Sequence, residues 1–319
     1  MKKAFIVATL AVLVLGLAPL GVFALTVSPP LMEFDARVGD SITDVVKLYN
    51  ETNVPLTLSA SVQNFKAMGE TGTPEFLPAG GTGLAVWIEM AEKEVTLAPG
   101  EGKSVLFTIK VPGDAEPGGH FVGILWTSGA TPTTGESSVG LIAKTGTLVL
   151  VRVAGAVNES GRIVEFLTDR QSYNYLPANF ALRFSNTGNI HLKPAGMIEV
   201  KNMWGAKVAT LDVNKDLANV LPDSIRKFEA KWQKNEVPAG ISDWQKEREN
   251  FAWGKYTAIV VLNYGANGQV ATAQVSFWVF PWRVTLFYLV MVVIVLLLLV
   301  QGIKKYNKWL LKKYSGKVA

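Results

Sequence analysis

The sequence predicts an all-β protein that is followed by one membrane-spanning helix, and two patterns carry this prediction. From Leu25 to Phe280, short runs of Val, Ile, Thr and aromatic residues are broken by Pro, Gly, Asn and Asp about every ten residues. From Val284 to Ile303 there is no charged residue, and 290–300 contains only Val, Met, Ile and Leu. A helix of this length spans about 30 Å, the thickness of a bilayer's hydrocarbon core.

Alternation along the chain supports the strand assignment. A strand places every second side chain on the same face. The apolar residues that share a face in this way are Val105, Phe107 and Ile109 in one run, and Phe180, Leu182 and Phe184 in another. Between the two ends of the chain, only 243–250 has a helical pattern, with Ser242 or Asp243 available as its N-cap.

Three landmarks occur twice in the same order, which predicts an internal repeat. They are a strand that ends in Asn50 or Asn186, a turn at 97–100 or 221–223, and a turn at 116–119 or 253–254. Two copies of about 125 residues, each with roughly seven short strands, fit two tandem immunoglobulin-like β-sandwiches. We expect the first domain at 25–153, a linker at 154–160 and the second domain at 161–280.

The two ends of the chain predict a single-pass membrane topology. Residues 1–24 resemble a secretory signal, with Lys2 and Lys3 before an apolar run and small residues near position 24. An uncleaved signal anchor is the alternative. The predicted span is 282–303, and 304–319 is a basic tail that we expect in the cytoplasm, with the β domains outside the cell.

The flanks of the span identify candidate residues for the membrane interface. Trp282 and Arg283 lie at its outer end, and Lys304 and Lys305 at its inner end. Pro281 separates the last predicted strand from the helix region, so the second domain should stand close to the bilayer and be stiffly attached to it. Trp278 lies within that strand and is predicted to belong to the core.

The distribution of charge argues against nucleic-acid binding. The net charge of +5 arises from the two membrane-facing ends, because 22 basic and 26 acidic residues lie between them. A basic folded surface is what nucleic acids require. The chain contains no cysteine, so disulfides cannot stabilise it outside the cell, and this suits a bacterial envelope protein.

The residues needed for catalysis or metal binding are scarce. His120 and His191 are the two histidines of the sequence, and neither lies in a nucleophile-elbow motif. Calcium-loop and phosphate-loop motifs are also missing from the sequence. We therefore predict a protein that binds rather than an enzyme, with no metal and no cofactor. Glycoside hydrolysis needs only two carboxylates and stays open at this stage.

The stretch from Trp232 to Trp253 is the candidate partner-binding surface. It has no counterpart in the first copy, and it carries Trp232, Trp244, Arg248 and Trp253 among charged residues of both signs. Trp and Arg are the residues that dominate interface hot spots. The alternative is that these rings pack the insertion onto its own domain.

A series of short phrases marks the first copy. In order, they are Val27–Pro30, Asn50–Asn53, Asn64-Phe65, Leu97–Glu101, Val111-Pro112 and Glu116–Phe121. Together with the signal, two β domains, one helix and basic tail, they make the chain similar to the WxL-interacting protein family of bacterial surface proteins. The resemblance implies a peptidoglycan-binding first domain, a host-binding second domain and secreted partners that bear WxL domains.

These observations lead to one main functional interpretation and two alternatives. The main interpretation is a membrane-anchored cell-surface scaffold that contacts cell-wall polymer, such as peptidoglycan, or a secreted surface protein. The alternatives are a membrane-tethered assembly chaperone that uses strand-edge donation, and a carbohydrate-active enzyme accessory.

Overall fold

A computed structural model describes residues 25–78, 80–128, 144–236, 238 and 240–315. The predicted signal at 1–24 and the last four residues of the basic tail lie outside these ranges. The chain divides into two compact units, Met1–Met68 with Thr73–Asn158, and Gly69–Gly72 with Glu159–Ala319. The change from the first unit to the second at 158–159 falls within the stretch that the sequence predicts as a linker.

Unit 1 consists of two β-sheets. One sheet has the strand order β1-β3-β8-β6, and the other has the order β2-β10-β9-β4-β5 with β7 also paired to β4. The strands are β1 (Leu25–Ser28), β2 (Leu31–Ala36), β3 (Ser41–Asn50), β4 (Leu56–Met68), β5 (Thr73–Phe76), β6 (Ile88–Met90), β7 (Glu94–Leu97), β8 (Gly102–Lys110), β9 (Gly118–Ser128) and β10 (Lys144–Val153). A short 3-10 helix lies at Gly83–Val86. Apart from the parallel pair β2–β10, the paired strands are antiparallel.

The core of unit 1 lies between its two sheets. Val105, Phe107 and Ile109 of β8 are buried, as the alternation predicts, and they belong to the same cluster as Ile124 and Trp126 of the opposite sheet. Two sheets that bury their inner faces against each other form a β-sandwich. Unit 1 is therefore a sandwich in which the strand pattern of the sequence selects the inner face.

Unit 2 has two sheets and two helices. Its sheets have the orders β11-β13-β16 and β12-β18-β17-β14-β15. The elements are β11 (Gly161–Thr168), β12 (Ser172–Tyr173), β13 (Ala178–Asn186), β14 (Ala195–Lys201), β15 (Lys207–Val213), β16 (Ser224–Trp232), α1 (Asp243–Glu249), β17 (Gly254–Tyr264), β18 (Gln269–Val279) and α2 (Trp282–Ser315). Strand β12 runs parallel to β18.

Aromatic rings fill the core of unit 2. The ring of Phe277 lies 5.6–6.0 Å from the rings of Tyr173, Phe180, Trp232 and Tyr256, which come from both sheets. The prediction that Trp278 belongs to this core is wrong. Its neighbours in β18, Phe277 and Val279, point inward, so the alternation of the strand turns Trp278 outward, and 54% of its surface is exposed.

Asn50 and Asn186 make similar contacts in the two units. Each asparagine ends a strand and is fully buried. Asn50 Nδ2 donates to the carbonyls of Val54 (2.8 Å) and Ala98 (3.0 Å), and Asn186 Nδ2 donates to those of Ile190 (2.7 Å) and Val220 (2.8 Å). The two side chains therefore join the same two connections in each unit, and this supports an internal duplication.

Helix α2 is a candidate membrane span. It is 34 residues long, and its most apolar stretch of 18 residues has a mean hydropathy of 2.9, with none of these residues buried by the described part of the chain. The helix continues past the predicted end at residue 303 into the basic segment. This segment contains residues that favour helices, such as Lys and Leu, and it reaches Gly316 without a proline.

Candidate functional site

The candidate site contains a buried carboxylate and lies at the connection between β18 and α2. Two residues, Phe280 and Pro281, separate the end of the strand from the start of the helix. The connection from β16 to β17 carries helix α1, and α1 packs against α2. The predicted partner-binding insertion is thus located at the base of the candidate membrane helix.

Local signals in the sequence form α1. Ser242 is its N-cap, with its hydroxyl accepting from the Gln245 amide while the Gln245 side chain accepts from the Ser242 amide (3.1 Å). This reciprocal pair is a capping box, which satisfies two amides that would otherwise lack partners. The cap fixes the start of a helix that is too short to be stable alone in water.

Glu247 of α1 is the centre of the site. Its side chain is 0% exposed, and its carboxylate accepts hydrogen bonds from the backbone amides of Arg283 (3.0 Å) and Val284 (3.1 Å). These amides belong to the first turn of α2, where backbone N–H groups have no partner within the helix. A carboxylate at this end is also attracted by the positive end of the helix dipole. Glu247 therefore caps α2 from a separate element.

Arg283 neutralises this buried carboxylate. Its Nη1 donates to Glu247 (2.9 Å), and its Nη2 lies 3.1 Å from Asp243, also on α1. The guanidinium lies over the Trp282 ring at 4.8 Å. A buried carboxylate is tolerated when it is paired and hydrogen-bonded, and both conditions hold here. The pairing ties the first turn of α2 to α1.

We call the contact of Glu247 and Asp243 with Arg283 the joint between α1 and α2. An aromatic contact extends this joint along α2. The rings of Trp244 and Phe287 lie 5.9 Å apart in an edge-on arrangement, and the guanidinium of Arg248 lies 5.4 Å from the Trp244 ring centre. Phe287 is five residues beyond the start of α2, so the contact reaches about 7.5 Å along the helix. Helix α1 therefore follows the first turns of α2 rather than touching them at one point.

Asn250 attaches the other end of α1 to the body of unit 2. It is buried, and its side-chain oxygen accepts from the amides of Lys234 (3.1 Å) and Asn235 (3.0 Å). The backbone N–H of Asn250 donates to the carbonyl oxygen of Lys246 (3.0 Å) and closes the last turn of α1. The insertion is thus fixed to the sheets of unit 2 and to α2 by separate polar contacts.

The four residues predicted to bind a partner do not form one surface. The prediction that Trp232 contacts a partner is wrong, because this residue ends strand β16 and is only 2% exposed. Trp244 is partly buried against Phe287, whereas Arg248 and Trp253 are exposed. Trp232 belongs instead to the core of unit 2, where its ring packs against those of Tyr256 and Phe277.

The residues predicted at the membrane interface lie at or along α2. Trp282 begins the helix and is exposed, and Arg283 is paired as described above. Lys304 and Lys305 are exposed beyond the apolar segment. Their contact with lipid headgroups stays a prediction.

Sequence reasoning does not identify Glu247 as a functional residue. It lies among Lys246, Arg248 and Glu249, and such a run is typical of a solvated helix face. Its partners are 36 and 37 residues further along the chain. The available signal is indirect. A short helical pattern lies shortly before a candidate membrane helix that has no acidic residue in its own first turn.

Asp169 and Tyr173 form a second polar contact in unit 2. The Tyr173 hydroxyl donates to the Asp169 carboxylate at the edge of a depression of about 290 Å³. Burial and this hydrogen bond raise the pKa of Tyr173 to about 12. Burial acts to raise the pKa of Asp169, but hydrogen bonds from Tyr173 and Asn179 outweigh it and leave that pKa lowered.

Side chains that could bind a metal ion do not cluster in the part of the chain that the structure describes. Within the described ranges, no group of three or more His, Asp or Glu side chains is placed to hold a metal ion. The His120 ring lies 4.5 Å from the Trp87 ring, and its Nε2 is 2.9 Å from the Glu116 carbonyl oxygen. These contacts give His120 a packing role in unit 1.

Comparisons with known proteins give remote structural similarities. No family model matches the chain, and no curated protein matches it. The class 5 fimbriae chaperone CfaA has a TM-score of 0.38 at 12% identity, over 80% of this chain and 99% of its own. The E. coli chaperone DraB has a TM-score of 0.35 at 13% identity, over 81% and 97%. The Pseudomonas aeruginosa chaperone CupB2 has a TM-score of 0.35 at 12% identity, over 78% and 98%. Similarities at these identities and TM-scores assign no function to this chain.

Proposed function

We propose that this protein is a non-enzymatic, membrane-anchored scaffold whose two immunoglobulin-like β units bind another component of the cell envelope. Helix α2 crosses the membrane once, with the β units outside and the basic tail in the cytoplasm. The observation that carries the proposal is the joint formed by Glu247, Arg283 and Trp244. A flexible tether would need none of these contacts, whereas a scaffold benefits from a fixed attachment to its anchor.

The order of charges along α2 supports the orientation. Arg283 at the outer end is neutralised by Glu247 and Asp243. At the other end, Lys304, Lys305 and Lys308 are exposed and follow one another within two turns. Unpaired basic residues next to a span favour the cytoplasmic side. The paired arginine adds little to the opposite side, so the asymmetry points to a cytoplasmic C-terminus.

A labelling experiment tests the topology. The chain has no cysteine, so Asn267→Cys, in the turn after β17, and Lys308→Cys each introduce a unique thiol. In intact cells, a membrane-impermeant maleimide should label the variant at 267, and it should label the variant at 308 only after permeabilisation. The reverse pattern would overturn the proposed orientation.

A sedimentation experiment tests which class of component is bound. If the wall polymer is the ligand, the purified full chain should sediment with insoluble peptidoglycan, and excess soluble peptidoglycan fragments should release it. If a secreted surface protein is the ligand, as the resemblance to the WxL-interacting family suggests, the chain should stay in the supernatant until that protein is added. Binding to neither would contradict the scaffold function.

A membrane-tethered assembly chaperone is the second candidate, and strand β15 favours it. This seven-residue strand is the outermost strand of its sheet and is paired to β14. Val208 and Thr210 are exposed on it. An outer strand offers backbone groups to a strand from another protein. A photo-crosslinking amino acid at Thr210 should then capture a secreted client, whereas one at Asn263, which is exposed on β17 and paired with strands on both sides, should not.

A further inference from the structure

Several large aromatic side chains are exposed at one end of unit 2. Trp204, in the turn between β14 and β15, is 75% exposed, and Trp253, just before β17, is 46% exposed. Trp278 and Phe280 at the end of β18 are also about half exposed. Aromatic side chains of this size contribute most to stability when they are buried, so their exposure at one end calls for a physical reason.

Strand register places these residues together although they are distant in sequence. Gly254 pairs with Val279 and Lys255 pairs with Trp278, so Trp253 and Phe280 lie at the same end of the sheet. Gly254 has a φ of +104°, and a Cβ at this position would overlap the Met203 methyl group. The turn that carries Trp204 therefore lies against the start of β17. The same end leads through Pro281 into α2.

The turn that carries Trp204 is held by its own hydrogen bonds. The side-chain oxygen of Asn202 accepts from the amides of Trp204 (3.1 Å) and Ala206 (3.0 Å), and Gly205 adopts a φ of +80°. The Asn202 amide also donates to the Ala206 carbonyl (2.9 Å). These contacts fix the backbone of the turn, and the Trp204 side chain that it carries is exposed.

We propose that Trp204, Trp253, Trp278 and Phe280 form an aromatic collar that lies in the interfacial region of the bilayer crossed by α2. The proposal rests on the membrane anchoring argued under Proposed function. Tryptophan favours this region because its ring is apolar while its N–H group can bind headgroups or water. Lys255, exposed opposite Trp278, supplies a cation for lipid phosphates.

The position of α2 identifies lipid, rather than another protein, as the occupant of this surface. Phe280 is two residues from the first residue of α2, so the collar and the start of the apolar helix lie at nearly the same height. The contact between Trp244 and Phe287 places α1 further along the helix, about 7.5 Å past its start. If α2 enters the bilayer at its first turns, residues beside Phe280 lie at the depth of the lipid headgroups.

Spin labels on the full chain test the proposal. Because the sequence lacks cysteine, Trp204→Cys, Trp253→Cys, Asn267→Cys and Val295→Cys can each carry one nitroxide. Asn267 is an exposed control at the opposite end of β17 and β18, and Val295 is a control within α2. Each variant is reconstituted into vesicles of phosphatidylcholine with a minor fraction of phosphatidylglycerol. Accessibility to oxygen and to a water-soluble nickel chelate then reports depth.

The proposal predicts that the labels at 204 and 253 are several-fold less accessible to the nickel chelate than the label at 267. Their accessibility to oxygen should lie between that of the label at 267 and that of the label at 295. If 295 reports hydrocarbon depth while 204 and 253 match 267, the collar is refuted and the membrane span stands. If 204 and 253 are shielded from both reagents, a protein covers them and the lipid assignment fails. If 295 is accessible to nickel, the membrane anchoring itself is wrong.

Discussion

Glu247 binds Arg283 at two points, since its carboxylate accepts from both the backbone amide and the guanidinium of that residue. One residue of a short helix therefore caps and neutralises the start of a much longer one. The contact lies in the part of the chain that joins the sheets of unit 2 to α2, the candidate membrane span. Its removal should affect the attachment of α2 more than the folding of the sheets.

The substitution Glu247→Gln tests this joint. Glutamine keeps the shape but removes the charge and turns one acceptor into a donor that faces backbone amides. Charge-assisted hydrogen bonds contribute about 1.5–3 kcal/mol, so we expect a loss of that size in the free energy of unfolding in detergent. Limited proteolysis should cleave faster between β18 and α2.

The control for this substitution is Glu249→Gln on the same helix. Glu249 is exposed and pairs with Arg248 at 3.0 Å. Surface pairs of this kind contribute less than about 1 kcal/mol. Equal destabilisation by the two variants would contradict a special role for Glu247.

The contact between Trp244 and Phe287 can be measured by a double-mutant cycle. Edge-on aromatic pairs are worth about 0.5–1.5 kcal/mol beyond the area they bury, so Trp244→Ala and Phe287→Ala should show a coupling energy in this range. Thermal unfolding in vesicles provides the measurement. Combining Trp244→Ala with Leu297→Ala, which lies further along α2, should instead be additive within about 0.5 kcal/mol.

Asn50→Ala and Asn186→Ala should destabilise the protein to a similar extent. Each change removes the donor to backbone carbonyls of two connections, and these hydrogen bonds are buried at Asn186 and partly buried at Asn50. The expected cost is about 1–3 kcal/mol. Chemical denaturation monitored by tryptophan fluorescence gives the free energies. The control is Asn53→Ala, at an exposed position in the connection between β3 and β4. It should change the free energy of unfolding by less than about 0.5 kcal/mol. A large effect at Asn50 with none at Asn186 would argue against equivalent roles.

The raised pKa of Tyr173 predicts a loss of stability at alkaline pH. Between the ordinary pKa of tyrosine, about 10, and the folded-state value of about 12, the unfolded chain releases the phenol proton while the folded chain keeps it. Unfolding is therefore favoured as the pH rises through this window. The variant Tyr173→Phe should show a shallower decline in unfolding free energy from pH 10 to 12. An unchanged slope would show that this hydroxyl does not titrate as proposed.

Local periodicity allowed the strand faces to be predicted from sequence. Phe180, Leu182 and Phe184 are buried as the alternation predicts, because the pleat of a strand fixes which side chains face inward. The same rule identifies Trp232 as a core residue, since it lies four residues beyond the buried Phe228 on the same face of β16. Taking the insertion to begin at Trp232 rather than after it accounts for the wrong assignment.

Contacts between distant residues could not be predicted in the same way. The turns at Asn50 and Asn186 are visible in the sequence as repeated landmarks, but the carbonyls that they bind lie up to 48 residues away. The burial of Glu247 depends on the path of the chain from β16 through α1 to α2. No local pattern encodes that path, so the joint becomes visible only in three dimensions.

The two-residue connection between β18 and α2 has a mechanical consequence. Because α1 packs against the first turns of α2, and if α2 spans the membrane as proposed, a force on the sandwich of unit 2 reaches the bilayer as torque on the helix. Lipid thickness and helix tilt should then set the angle at which this sandwich leans from the membrane normal. A thinner bilayer would tip it further towards the surface.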